Sequence, residues 1–358
     1  MKKNKSLENE QFIIGILTTE GKHSALTGNF KLFKDLSLKL AEKGGTAIIF
    51  PITLSFRENH LKGGYIFNKR KKGWVFTDYN GIPLVIYNRI PYRKSENTEQ
   101  FHAFSAWCKE KGIPIFNSYF FKKWDIYTAL SEDLKLRKHL PFTQLIQSKE
   151  QLERHLNNYL SLYLKPNDGS KGNGIYVLSK YEDDSYHIKG HNGIYGSTFF
   201  QNIWEKKINP LLLKREYILQ KKTEIMKRDE RSYDYRVLAH NVNNNWLVSG
   251  IGIRQSKVNG ITTHVLKGGN IIGVEEISTA EDFEHIRDLT ARTGKALERA
   301  FGDDCVKEFS MDVGKTINGE FFIFDVNSKP MKFDELEIYR NGLNHLVEIF
   351  LEYKNMNR

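Results

Sequence analysis

Glu308, Ser310 and Asp312 occupy alternate positions of the segment 306–313, and Asp325 and Asn327 do the same at the end of 320–327. In extended chain that spacing gathers the oxygen-bearing side chains on one face. Phe309, Met311 and Val313 take the other face of the first segment, and Phe322, Phe324 and Val326 that of the second. Asn318-Gly319 between them is a two-residue hairpin signal, because a type I′ turn needs positive φ at both positions. A turn there sets Asp312 opposite Asp325 and Ser310 opposite Asn327. Like charges directly opposed in a sheet are destabilising unless something compensates. A divalent cation does so, and Asp312, Asp325 and Asn327 with phosphate oxygens form the kind of set that holds Mg2+ in nucleotide enzymes. Two solvated aspartates on an exposed hairpin are the bland alternative.

Further upstream, the loop 166–174, with Gly169, Ser170, Lys171, Gly172 and Gly174, lets backbone N–H groups approach anionic oxygens. It joins two strands and lacks the G-x-x-x-x-G-K-[ST] spacing, so it is neither a Walker loop nor a dinucleotide fingerprint. A flexible turn stays open as a reading. Lys165, at the end of the entering strand, can place a point charge on a phosphate. Asp234 and Arg236 share a face of the strand 233–240, and the Asn243-Asn244-Asn245 turn returns Arg254 near them with the register open. Two guanidiniums at one end of a sheet call for anions, or else for a structural Asp–Arg pair. Thr262-Thr263-His264 and Gly268-Gly269 form a second glycine-rich turn, where His264 is the one histidine placed near chemistry.

These segments sit in a chain of 358 residues, enough for two or three lobes of roughly 100 to 200 residues each. Hydrophobic content of 40% with 13% aromatics supports buried cores and argues against disorder. No run reaches the roughly 18 apolar residues of a membrane span, and the first ten residues lack a signal-peptide core, so a cytoplasmic protein is expected. Cys108 and Cys305 show no metal or disulfide spacing and read as structural thiols. The net charge of +11 fits a nucleic-acid partner or an anionic small substrate; basic runs such as 69–72 are short and read as a solvated loop, since no nucleic-acid motif accompanies them.

Strand, helix and strand at 12–17, 29–43 and 46–50 predict a parallel α/β unit, continued by a hairpin at 65–76, a strand at 83–87, a helix at 98–111 and a strand at 113–116. Helices follow at 124–139 and 148–160, then strands at 163–165 and 175–178 around the glycine loop. A polar surface stretch is expected at 180–200, a helix at 198–213, strands at 217–220, 233–240 and 246–254, and helices at 280–300 and 334–353.

Taken in order, Tyr87-Asn88-Arg89-Ile90-Pro91, Lys123-Trp124, Leu164-Lys165-Pro166 with its loop, Asp234-Tyr235-Arg236-Val237, Thr262-Thr263-His264 and Asp325-Val326-Asn327-Ser328-Lys329-Pro330 resemble the ATP-grasp superfamily, most closely the YheC/YheD-type endospore coat-associated family. The resemblance covers most of the chain. It implies mixed α/β and α+β architecture: an N-terminal parallel α/β domain over 1–120, a central lobe with a glycine-rich lid over 121–215, and a C-terminal lobe with the metal site over 216–358. It implies ATP and Mg2+ or Mn2+ between the lobes, with Lys165 and Lys123 on phosphates or adenine and the 167–174 loop as lid. Gln220, Lys221 and Glu224 fall in the hinge that reads adenine and ribose. Asp312, Asp325 and Asn327 match the metal triad, and Arg236, Arg254 and Lys329 the cations on the transferring phosphate. Relatives often carry Glu in place of Asp325, which shortens the arm available for bridging two metals.

The expected activity is therefore an ATP-dependent ligase joining a small-molecule or peptide carboxylate to an amine or thiol through an acyl phosphate. No membrane span or nucleic acid is expected. Superfamily members are often dimers, and the family name adds spore-coat association. A nucleotide-binding assembly protein of the coat, without ligase activity, is the rival from another class.

Overall fold

Three sheets carry the chain, and the computed structural model describes residues 12–22, 24–169, 172–263 and 267–356 of it. In the first sheet Phe12–Thr18 lies between Gly45–Pro51 and Val85–Asn88, with Ile115–Phe116 beyond, all parallel. The strands are apolar on both faces because both are covered. Ile14, Ile16 and Tyr87 pack with Leu32, Phe33, Leu36 and Leu40 of helix Phe30–Glu42, while Leu17, Ile48, Phe50 and Ile86 meet Phe101, Phe104 and Trp107 of helix Glu99–Glu110. Asn29 and Thr98 cap these helices by accepting from Leu32 N and Phe101 N. The hairpin His60–Asn68 with Gly73–Asn80 extends the sheet antiparallel.

The second sheet is antiparallel throughout, in the order Gly193–Ser197, Tyr186–Gly190, Tyr176–Lys180, Ser161–Pro166, Tyr217–Lys221, Thr143–Leu145. Residues 180–200, expected as polar surface, supply two of these strands. Tyr186 and Ile188 alternate into the core with Leu152, Leu156 and Phe200, a signal that flanking glycines and polar residues obscure. The helix expected over 198–213 forms as Phe200–Ile203, a π-turn at Trp204–Ile208 and Asn209–Leu212. Pro210 lacks the N–H that would continue an α-helical ladder, which accounts for the widened turn.

The third sheet runs Asn270–Ile272, Asn245–Gln255, Arg231–Val242, Glu308–Lys315, Phe321–Asn327. Helix Ala280–Phe301, opened by a Thr279/Asp282 capping box, lays Ile286, Leu289, Ala296 and Leu297 against one face. Helix Leu336–Met356 packs Ile338 on Leu238 of the other face, then sends Leu343, Leu346, Val347 and Phe350 into the core of the first sheet. The expected helix 124–139 is two, Lys123–Ser131 and Leu134–Arg137, because the Asp133 carboxylate caps a new start by accepting from Lys135 N and Leu136 N. Both bury apolar residues (Ile126, Leu130, Leu136) in the third sheet's core. Among the described residues no helix is long and apolar enough to cross a membrane, and Cys108 and Cys305 are free thiols.

Two hairpins of this sheet decide the site. Asn243 and Asn244 both have positive φ (49° and 61°) and Val242 pairs with Asn245, so the type I′ turn lies here. A register shift between Leu238 and Ala239 then sets Asp234 directly opposite Arg254. The Asn318-Gly319 turn differs from expectation: only Gly319 has positive φ, at 82°. Gly319 N donates to Thr316 O at 3.0 Å and Thr316 N to Glu320 O at 2.8 Å, which is a three-residue loop. That loop displaces the pairing by one residue, and a second shift between Asp312 and Val313 restores it, so Asp312 does face Asp325 and Ser310 does face Asn327. Between the loop and the shift the faces are reversed. Phe321 and Ile323 join Val326 in the core instead of Phe322 and Phe324, and Phe324 lines the cleft described next.

Candidate active site

Register across three strands builds the centre of the site. Arg236 pairs with Asp312, and Asp312 with Asp325, so one row carries cation, carboxylate and carboxylate. Arg236 Nη1 donates to Asp312 Oδ1 at 3.0 Å, and Asn327 Nδ2 to Asp325 Oδ2 at 3.3 Å. Lys123, from the first turn of its helix, donates to Asp325 Oδ1 at 2.6 Å. Burial pushes the Asp325 carboxyl up, but Lys123 and Lys165 outweigh it and hold the group below the usual carboxylate range. Asp234, two residues before Arg236, is pushed up to about 7 by burial and by the charge of Asp312, against the pull of Thr263, Arg236 and Arg254. Thr263 Oγ1 donates to it at 2.5 Å.

This row forms one wall of a cleft of ≈ 1080 Å³ that also reaches the glycine loop, the 256–263 segment and the first sheet. Opposite the row, Lys165 Nζ donates to Gln220 Oε1 at 2.6 Å and to Phe324 O at 3.4 Å, both uncharged acceptors. Gln220 is itself held, its Nε2 on Thr143 Oγ1 at 3.1 Å. Burial and the neighbouring Lys123 push the Lys165 ammonium down to about 8. Two ammonium groups converging on one space are stabilised by an anion between them. The glycine loop supports Lys123 as well: Asn167 O accepts from Lys123 N at 2.9 Å, and Asn167 Oδ1 from Trp124 N at 2.9 Å.

On the side of the first sheet, Glu96 accepts from Lys329 Nζ, from Asn88 Nδ2 at 2.8 Å and from Phe120 N at 2.9 Å. Burial pushes the Lys329 ammonium down, to about 7, against the pull of Glu96. Arg93 Nη1 and Nη2 donate to Phe120 O and Phe121 O, each at 2.7 Å.

The cleft thus gathers Lys123, Lys165, Gly169, Gly172, Gln220, Glu224, Arg236, Asp312, Asp325, Asn327 and Lys329 from the sequence-derived set. Lys221 turns away, its ammonium 5.5 Å from the Tyr159 ring centre. Gly174 lies behind the loop, where an added Cβ would come within 2.7 Å of Arg215 Nη2. Arg254 stands one strand beyond the cleft wall, its Nη1 and Nη2 on Glu335 at 3.2 and 3.4 Å, a carboxylate partner that alternation within the strand cannot reveal. Lys329 stands on Glu96, toward the first sheet. Ser170, Lys171 and His264 lie outside the described residues. Sequence reading did not single out Arg93, which opens the short helix Arg93–Glu96, and it took Asn167 only as part of the glycine loop; Thr263 fell within the Thr262-Thr263-His264 motif, and Asp234 had a signal, two residues from Arg236 on one face.

Asp312 and Asp325 are 22% and 24% exposed, and among the described residues each forms an ion pair with one cation, Arg236 and Lys123 respectively. With the Asn327 amide oxygen they are hard donors of the kind that suits Mg2+. Among the described residues no group of three His, Cys, Asp or Glu is placed to hold a metal. A cation would rest on this two-carboxylate, one-amide set and complete its shell with ligand oxygens.

The endospore coat-associated protein YheD of Bacillus subtilis (strain 168) is 29% identical over 322 residues, covering 83% of this chain and 69% of that protein. YheC of the same organism is 23% identical over 287 residues, covering 74% and 75%. Among solved structures, the VanG D-Ala:D-Ser ligase from Enterococcus faecalis matches with a TM-score of 0.56 at 13% identity, over 96% of this chain and 98% of that one. D-alanyl-alanine synthetase A from Vibrio cholerae matches at 0.52 and 10% identity, over 96% and 99%. These likenesses show the ATP-grasp fold. The profile described as YheC/D like ATP-grasp matches residues 112–356, and the chain belongs to that family.

Proposed function

We propose that the protein is an ATP- and Mg2+-dependent ligase that joins a carboxylate to an amine or thiol through an acyl phosphate. The observation that carries this reading is Lys165, buried on neutral acceptors beside Lys123 and facing Asp312 and Asp325 across the cleft. Such a lysine is matched by a polyphosphate. Lys123 and Lys165 hold the phosphates, the glycine loop closes over them and excludes water, and Arg236 stands where charge develops on the transferring group. Asp312, Asp325 and Asn327 would hold Mg2+, which supplies neutralisation of phosphate charge. A substrate carboxylate oxygen attacks the γ-phosphorus and ADP leaves. The amine then attacks the acyl carbon, phosphate departs with the C–O electrons, and the amine proton passes to solvent or phosphate.

Hydroxylamine intercepts acyl phosphates as hydroxamates. Incubation with ATP, Mg2+, hydroxylamine and a panel of amino acids, short peptides and simple carboxylic acids should give ADP and hydroxamate in equal amounts with at least one acid. Stabilisation by ATP–Mg2+ without either product for any acid would oppose the ligase reading. It would favour the second reading, a nucleotide-binding assembly protein, which the coat-associated names of the two relatives support.

A further inference from the structure

Four cations line the arm of the cleft nearest the first sheet: Arg89, Arg93, Lys329 and Lys332. Three have carboxylate partners. Arg89 Nη1 donates to Glu308 Oε2 at 3.2 Å, and its Nη2 to Pro330 O at 2.9 Å. Lys329 stands on Glu96, and Lys332 lies 3.3 Å from Asp334. Arg93 has no carboxylate partner among the described residues. Its two terminal nitrogens are held by the carbonyls of Phe120 and Phe121, and its guanidinium carbon lies 5.3 Å from the Phe120 ring centre. That clamp fixes the plane of the fork; no carboxylate among the described residues lies within ion-pair distance of it, and Asp168, Glu96, Asp125 and Asp325 act on its charge from further away. The same cleft is also lined by the apolar side chains Ile90, Phe121 and Met331 and by Tyr92. A cation fixed in such a setting favours an anion delivered by the ligand.

We propose that Arg93 seats the carboxylate of the acceptor substrate, and that the ligase takes acids whose carboxylate is carried on an apolar or aromatic body. This rests on the ligase reading above. Arg236 then serves the phosphoryl side and Arg93 the acyl side of one reaction centre.

The test uses the full chain with saturating AMPPNP and Mg2+ and follows thermal stabilisation by a series from acetate to 3-phenylpropionate, each acid against its own amide. Wild type should prefer acid to amide, with tighter half-saturation as the body grows. In Arg93→Met the half-saturation for acids should rise about ten- to a hundredfold, the value of a lost charge-assisted contact, while amides and AMPPNP are unaffected. Arg93→Lys, which keeps a charge without the fork, should fall between and covers the case in which the methionine variant fails to fold. Equal stabilisation by acids and amides in the wild type, or none by either, overturns the proposal. Loss of the AMPPNP shift in both Arg93 variants also overturns it, because Arg93 would then serve phosphate. A wild type that AMPPNP does not stabilise refutes the ligase reading instead; the acid–amide comparison without nucleotide still decides Arg93.

Discussion

Glu308 and Asp312 leave the same face of one strand, yet their surroundings differ in kind. Glu308 is 5% exposed and accepts from Tyr87 Oη at 2.7 Å, Asn117 Nδ2 at 3.0 Å and Arg89 Nη1 at 3.2 Å, with His240 Nε2 at 3.4 Å. Burial pushes its carboxyl up, but His240, Arg89 and Tyr87 outweigh it and hold the pKa below the usual value. Its donors come from the first sheet and the third, so this carboxylate ties the two together. Among the described residues Asp312 accepts a side-chain hydrogen bond from Arg236 alone, faces Asp325 and opens to the cleft. A saturated carboxylate holds structure; one left with spare acceptor capacity beside a second acid is available to a ligand.

The largest expected effect breaks the structural end of this contrast. Glu308→Ala leaves Arg89 without its buried partner and should destabilise the fold by about 3–5 kcal/mol in chemical denaturation. Asp325→Ala should act the other way round. Lys123 loses its partner but a like charge opposite Asp312 disappears, so the stability loss should stay near about 1–2 kcal/mol, while ATP consumption is abolished. Unchanged ATP consumption in that variant would remove the metal-site reading. The smallest effect is a pH dependence that sharpens the role of Lys165, whose pKa falls from 10.5 in the unfolded chain to about 8. A lowered lysine pKa means that the unfolded chain binds the extra proton between those values. Stability without nucleotide should therefore rise with pH over that window, relative to Lys165→Met. ATP affinity should fall across the same window as the ammonium is lost, and Lys165→Arg should flatten that fall.

Much of the site was legible because it lies on strands. Alternation grouped Asp312 with Glu308 and Asp325 with Asn327, and the opposition of Asp312 to Asp325 followed from a turn position that was one residue out and a register shift that compensated for it. The right pairing came partly from cancelling errors, since neither the three-residue loop nor the shift leaves a mark in apolar periodicity. The helix starts expected at 29, 98 and 148 coincide with Asn29, Thr98 and Ser148, whose side chains cap the helices in the structure. The strands at 186–190 and 193–197 were not, because glycine and charge dilute their pattern. Arg93 and Arg254 show a deeper limit. What separates them is whether a carboxylate stands at ion-pair distance, as Glu335 does for Arg254, and that partner comes from elsewhere in the chain.

Thermal stabilisation by ATP with Mg2+, measured on the wild type, Asp325→Ala and Glu308→Gln, tests the central claim most directly. The account predicts a clear rise in melting temperature for the wild type, as mass action requires of a native-state ligand. It predicts that the rise persists in Glu308→Gln from a lower baseline and is lost in Asp325→Ala. An equal rise in Asp325→Ala, or none in the wild type, would contradict it.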